Sequence, residues 1–239
     1  MWNSTGASLL VLALLALAKL PGAWAQVLPS AGQGVSIHSG GIRVRKPVRS
    51  FHEIRQDKVA RQRWDMSCGS AALSTLLTYH LNDPTPETAI IVWILRRTDP
   101  VRVQSRGGFS LLDLKRFVQS RGYTAEGYAD LSLTDLVNLG MPAIVPVRVK
   151  GYDHFVVFRG VVGDRVLVAD PVFGNLTMRA GRFVEIWKNG IGFIVLPRGS
   201  KPPPSAMAPK SQEFLVPDGS AIYRAVRGSG IARPSRRSP

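Results

Sequence analysis

The sequence holds a single cysteine, Cys68, in 239 residues, so an internal disulfide is excluded. Acidic side chains are also scarce: 16 Asp and Glu stand against 31 Lys and Arg, a formal net charge of +15. That excess points to acidic partners, whether nucleic acid, anionic lipid, a cell-wall polymer or an acidic peptide. No aromatic residues interleave with the basic clusters at Arg43, Arg45, Lys46 and Arg49 or at Arg233, Arg236 and Arg237. A nucleic-acid motif is lacking as well, so no nucleic-acid partner is expected and the basic face reads as solvated. Paired ligand spacing is absent too, which leaves a zinc site at Cys68, His154 and Asp170 without support, and neither a metal nor an organic cofactor is expected. Long apolar runs are limited to Ala7 to Ala18, about a dozen residues and too short to span a bilayer comfortably. Followed by Ala23, Trp24 and Ala25, that run reads as an export signal cleaved after Ala25, and a periplasmic or otherwise exported location is expected. No Lys or Arg precedes it, so an uncleaved anchor is the alternative; membrane association would then come from that segment or from the basic surface.

What is present is a 45% hydrophobic chain with 17 prolines and 23 glycines, the balance of one globular core with loop-rich margins. Residues 1–25 are assigned to the signal and 26–54 to a flexible lead-in, although Val35, Ile37, Ile42, Val44 and Val48 alternate well enough to add an edge strand. Apolar spacing predicts a helix from Cys68 through Leu77 and a second after Thr85 and Pro86 with Ile90, Ile91, Ile94 and Leu95 on one face. A third starts behind a Ser110 cap with Leu111, Leu114, Phe117 and Val118 inward, and a short fourth covers Asp130 to Leu139. From Met141 the pattern turns to β-branched runs, PAIVPVRV, HFVVFRGVV, RVLVAD and GFIVLP. Helices first and an antiparallel sheet second make an α+β domain over 55–197, and the Pro-rich, basic stretch 198–239 reads as a disordered tail or interaction arm.

Cys68 stands at the start of its helix, where unpaired backbone N–H groups favour thiolate over thiol, and Gly69 leaves room for a substrate backbone. A buried, inert thiol is the competing reading. A thiol nucleophile needs a base. His80 lies twelve positions along the same helix, about 18 Å away at ~1.5 Å per residue, and is excluded. His38 and His52 fall in the lead-in, whereas His154 opens an apolar strand whose return strand ends at Asp170. Folding back brings the two to one sheet edge, where the carboxylate would orient the ring. A satisfied strand histidine and a turn aspartate remain the plain alternative. Gln62, six residues ahead of Cys68, could offer its amide N–H with the Cys68 backbone N–H to a developing oxyanion, or be an ordinary surface glutamine.

Taken together, Gln62, Cys68-Gly69 ahead of an Ala/Leu-rich helix, His154-Phe155 on a strand and Asp170-Pro171 resemble peptidase family C39, the papain-like cysteine peptidases known as bacteriocin-processing domains of peptide exporters. The resemblance covers about Arg55 to Leu196. It implies a papain-like α+β fold, Cys68 as nucleophile, His154 as general base and acid, Asp170 as orienting group and Gln62 as oxyanion donor. A polypeptide substrate, cut after a Gly-Gly-type site in a secretion or assembly pathway, is also implied, with a secretion apparatus as partner. Ser67 replaces the aspartate that often precedes the cysteine, and the export signal sets this chain apart from transporter-fused members. Stand-alone exported members with this layout occur with functional-amyloid (Fap-type) secretion systems. Two other readings follow from the same residues: a catalytically silent fold that holds a secretion substrate or transporter partner, and cell-wall amide hydrolysis by the same thiol.

Overall fold

A computed structural model describes residues 34–39, 42–47, 50–149, 151–199, 205–210 and 213, in two units that part after Arg49. The signal and its cleavage point, and the tail beyond Glu213, lie outside the described residues.

In the first unit, strands β1 (Gly34–Ser39) and β2 (Ile42–Pro47) pair antiparallel with each other, Ser39 opposite Ile42 and Gly34 opposite Pro47. The expected edge strand is therefore a separate two-stranded hairpin.

The second unit opens with α1 (Phe51–Gln56), closed at its start by a reciprocal capping box of Ser50 and Glu53. This helix occupies what the sequence suggested was the end of a flexible lead-in. Next come α2 (Cys68–Tyr79), α3 (Glu87–Leu95), α4 (Pro100–Ser105), α5 (Leu111–Ser120), β3 (Tyr123–Tyr128) and α6 (Leu133–Asn138). They are followed by β4 (Ala143–Val149), β5 (Tyr152–Val162), β6 (Arg165–Asp170), β7 (Gly174–Arg179), α7 (Ala180–Ile186) and β8 (Gly192–Pro197). Six strands form one antiparallel sheet in the order β3-β8-β4-β5-β6-β7.

Both faces of that sheet are buried, which is why its central strands read as continuous apolar runs. Ile144, Val157 and Phe193 face Leu73, Leu76, Ile90 and Leu114 of the helices. One residue along, Val145, Val156, Phe158 and Val168 face Phe183, Trp187 and Leu136, so α6 and α7 cover the second side. Neither β7 nor α7 was expected.

The body also extends past its expected end at 197. Strand β5 carries a bulge between Phe158 and Gly160, and the extra residue, Arg159, has its side chain almost wholly buried. Its Nε donates to the Met207 carbonyl (2.8 Å), one terminal nitrogen to Asn175 Oδ1 (2.7 Å), and both terminal nitrogens to the Glu213 carboxylate (2.8 and 3.2 Å). Met207 is fully buried, and Pro209 lies so close over Gly160 that a Cβ there would sit 2.6 Å from its ring. Residues 205–210 and Glu213 are thus held against the domain rather than forming part of a loose arm.

Replacing Arg159 with Ala leaves the Glu213 carboxylate without its cation and the Met207 carbonyl without its donor, and should cost about 3–5 kcal/mol in urea unfolding. Removing the exposed Arg182–Glu185 pair by Arg182→Ala should cost less than about 0.5 kcal/mol in the same assay.

Candidate active site

Cys68 is the first residue of α2, preceded by Ser67, whose side chain does not cap the helix. The first-turn N–H groups therefore point out of the helix end beside the sulfur without intrahelical acceptors. Gly69 is buried, with the Phe155 ring 3.4 Å and Leu114 3.5 Å from where a Cβ would stand. The space expected for substrate at this glycine is filled by the domain's own core, and the substrate cleft lies elsewhere.

The β5–β6 register brings Val157 opposite Ala169, so Asp170 and His154 fall diagonally across the ladder. His154 Nε2 lies 3.1 Å from Asp170 Oδ1. The same oxygen accepts the backbone N–H groups of Val172 (2.7 Å) and Phe173 (3.0 Å), which fixes the carboxylate in the turn after β6. With Nε2 taken, Nδ1 remains for the Cys68 thiol, which interacts with the same ring. Burial works against charge on His154. The Asp170 carboxylate and the Cys68 sulfur outweigh it and raise the imidazole to about 9. Burial likewise works against the Asp170 carboxylate, but His154 and the two backbone N–H groups hold it below the ordinary range.

Gln62 joins this group from the other side. Its backbone N–H donates to the Pro171 carbonyl (2.9 Å), next to Asp170, and its Nε2 donates to the Trp64 carbonyl (2.7 Å). The Ser67 hydroxyl donates to that carbonyl over the same distance, so no more than twice 2.7 Å separates the Gln62 amide nitrogen from the residue before Cys68. One N–H of the amide is left over. Cys68, His154 and Asp170 form a contiguous set, while Gln62 sits on the loop that leads into the cysteine and faces an adjoining cavity.

The cleft over the sulfur has a volume of about 240 Å³. Gly107, Gly108 and Phe109 form one wall; Pro146, His154 and Phe155 form the other. Gly108 adopts φ 142°, and a Cβ there would stand 2.7 Å from the Met66 carbonyl, so the wall abuts the cysteine loop. Asp113 ties this wall down through the Ser110 capping box and an ion pair with Arg106. At the cleft mouth Asp153 is held near 2 by Arg148 and Lys188.

Residues 56–199 match the model of the peptidase C39 family. The chain belongs to the peptidase C39 family. Over 190 residues it is 38% identical to a probable functional amyloid protease, FapD, of Pseudomonas aeruginosa, covering 80% of each chain. The corresponding protein of Pseudomonas fluorescens is also 38% identical, over 71% of this chain and 74% of that one. Among solved structures, the peptidase domain of Streptococcus ComA superposes with a TM-score of 0.50 at 22% identity, covering 59% of this chain and 98% of that domain. The fold is the papain-like one of C39 peptidase domains, as the sequence implied.

Sequence reasoning missed Glu87. This carboxylate, buried in the first turn of α3, accepts the Ser67 hydroxyl (2.6 Å) and the Arg63 backbone N–H (3.2 Å), and so anchors the loop between Gln62 and Cys68 from behind. Its only sequence signal was an acidic residue at a helix start, which the dipole alone explains. Burial raises the Glu87 carboxyl, against the lowering effects of Ser67 and Arg63. Glu87→Gln, uncharged and still an acceptor, should therefore stay within about 1 kcal/mol of wild type, whereas Glu87→Ala strands the Arg63 N–H, leaves the Ser67 hydroxyl to the Trp64 carbonyl alone, and should lose about 1–3 kcal/mol by thermal or urea unfolding.

Proposed function

We propose that this chain is an exported cysteine endopeptidase that cuts an exported polypeptide or its leader, after a Gly-Gly-type site, within a secretion or assembly pathway of the functional-amyloid kind. The observation that carries the reading is the ring of His154, shared between Asp170 Oδ1 at 3.1 Å and the Cys68 sulfur at a helix N-terminus. The narrow cleft, walled by two successive glycines, supports a preference for small residues beside the cut. Likeness to the FapD proteins supports the pathway.

In this mechanism the Cys68 thiolate attacks the scissile carbonyl carbon while His154 is charged. Negative charge moves to the carbonyl oxygen, where the Cys68 backbone N–H and the free amide N–H of Gln62 receive it. As the C–N bond breaks, His154 gives its Nδ1 proton to the departing amine, leaving a thioester on Cys68. The now neutral ring takes a proton from water, whose oxygen attacks the thioester; Cys68 leaves as thiolate and the acid product departs. Asp170 stays ionised throughout and keeps the tautomer and the ring plane.

Cys68→Ala should abolish cleavage of a Gly-Gly peptide, and His154→Ala should lower kcat/KM by about 10²–10⁴. Because His154 is raised to about 9, the proton needed by the leaving amine is present below that pH and lost above it; peptide hydrolysis should decline above about pH 9 while iodoacetamide alkylation of Cys68 does not. Asp170→Asn removes the charge that raises the ring, so the decline should move to lower pH. A holding role without catalysis would instead show as full complementation of a deletion strain by Cys68→Ala.

Export is part of the same proposal and rests on the apolar run Ala7 to Ala18 ahead of Ala23-Trp24-Ala25. Intact-mass measurement of the protein recovered from the periplasm should show an N-terminus at Gln26, and a mass retaining Met1 would sink the cleavage step.

A further inference from the structure

Behind the loop from Gln62 to Cys68 lies a second cavity, of about 540 Å³, more than twice the volume of the cleft over the sulfur. Arg61, Gln62, Arg63, Trp64, Pro86 and Glu87 contribute to its lining. The mechanism above uses only Gln62 from this group. Arg61 and Arg63 are both exposed. Arg61 spends one terminal nitrogen on a long contact with the Val172 carbonyl (3.3 Å), and the Arg63 guanidinium has no hydrogen-bonded partner among the described residues. Glu87 is the acidic group here, and its two oxygens are occupied by Ser67 and the Arg63 backbone. Trp64 is 46% exposed and Gln62 Oε1 is buried without a donor. Two exposed guanidiniums, one donating a single long bond to Val172 and the other acting only on the charge of Glu87, stand with an aromatic face in a concave site and suit a peptide segment: carboxylates for the arginines and an apolar or aromatic side chain for Trp64.

We propose that this cavity is a substrate subsite for an acidic stretch of polypeptide, reached across the Gln62 loop from the cleft that holds the scissile bond. The inference rests on the peptidase reading. It deepens that reading by naming the substrate class: a chain whose cut site is flanked, within a few residues, by Asp or Glu. Because Gln62 lines this cavity while its amide stands beside the residue before Cys68, a segment seated here also presses on the loop that carries the oxyanion donor.

The test uses the full chain with Cys68→Ala and three fluorescent octapeptides of matched length, one Asp/Glu-rich, one neutral and one Lys-rich, followed by anisotropy. The acidic peptide should bind about tenfold or more tightly than the neutral one at low salt, and Arg63→Glu or Arg61→Glu should each weaken it about fivefold or more. Arg116→Glu, an exposed position on α5 with the same change in net charge, should leave binding within about twofold. Should Arg116→Glu weaken binding as much as Arg63→Glu, or the neutral peptide bind as well as the acidic one, only the overall charge is being read and the subsite is refuted. Arg63→Gln is a milder second variant that keeps the backbone contact to Glu87 and should still lose binding. With Cys68 retained, Arg63→Glu should raise KM for an acidic Gly-Gly peptide about fivefold or more while KM for a neutral Gly-Gly peptide stays within about twofold. Inert Cys68 with intact acidic-peptide binding would refute the peptidase reading alone, whereas normal cleavage with no acidic preference would refute the subsite alone.

Discussion

One carboxylate oxygen organises the reactive end of this domain. Asp170 Oδ1 accepts the His154 ring and the backbone N–H groups of Val172 and Phe173, and the next residue's carbonyl accepts the Gln62 backbone N–H. Two successive residues thus set the imidazole and hold the loop that leads to Cys68. A buried imidazole next to a buried carboxylate would be costly in isolation; here each partner has the other, and the carboxylate has two further donors. The imidazole held between carboxylate and sulfur is therefore a property of the fold's geometry.

That geometry depends on a register the sequence could not specify. Continuous β-branched runs revealed β5 and β6, and the residue types at their ends suggested His154 and Asp170 as neighbours. The bulge at Arg159 shifts the ladder by one residue beyond Phe158 and Val168, and a bulge leaves no mark in an apolar run. Its one sign was an arginine inside HFVVFRGVV, whose meaning depended on Met207 and Glu213 some fifty residues on. Composition assigned that later stretch to a disordered tail because averages over Pro, Ser and basic residues hide a single buried methionine and a carboxylate aimed at a buried guanidinium. The α7 helix escaped for a related reason: in AGRFVEI only Phe183 is buried, so no stripe of apolar residues announces it.

Local chemistry was more legible. Cys68 at the start of an Ala/Leu helix, Ser110 ahead of Asp113 and the switch to β-branched residues after Met141 all describe what the backbone does within a few positions, and the structure keeps each of them. Gly69 shows the limit of such reasoning. A glycine beside a nucleophile reads as space for substrate, yet the absent Cβ admits Phe155 from β5 and Leu114 from α5. Close approach is the correct inference from the residue type; what approaches is decided by the tertiary fold.

The loop before Cys68 is the place where rigidity and exposure have to coexist. Trp64 and Met66 face solvent, and Met66 adopts φ 62°, a left-handed conformation that costs an ordinary residue about 1–3 kcal/mol. Such a backbone persists only if its surroundings leave no alternative. Thr75 Oγ1 of α2 receives the Ala60 N–H, Glu87 of α3 receives Arg63 and Ser67, Pro171 receives Gln62, and Gly108 closes on the Met66 carbonyl. Four separate parts of the chain thus hold the eight residues from Ala60 to Ser67, so the backbone leading into Cys68 is fixed by its surroundings even though its aromatic and methionine side chains face solvent.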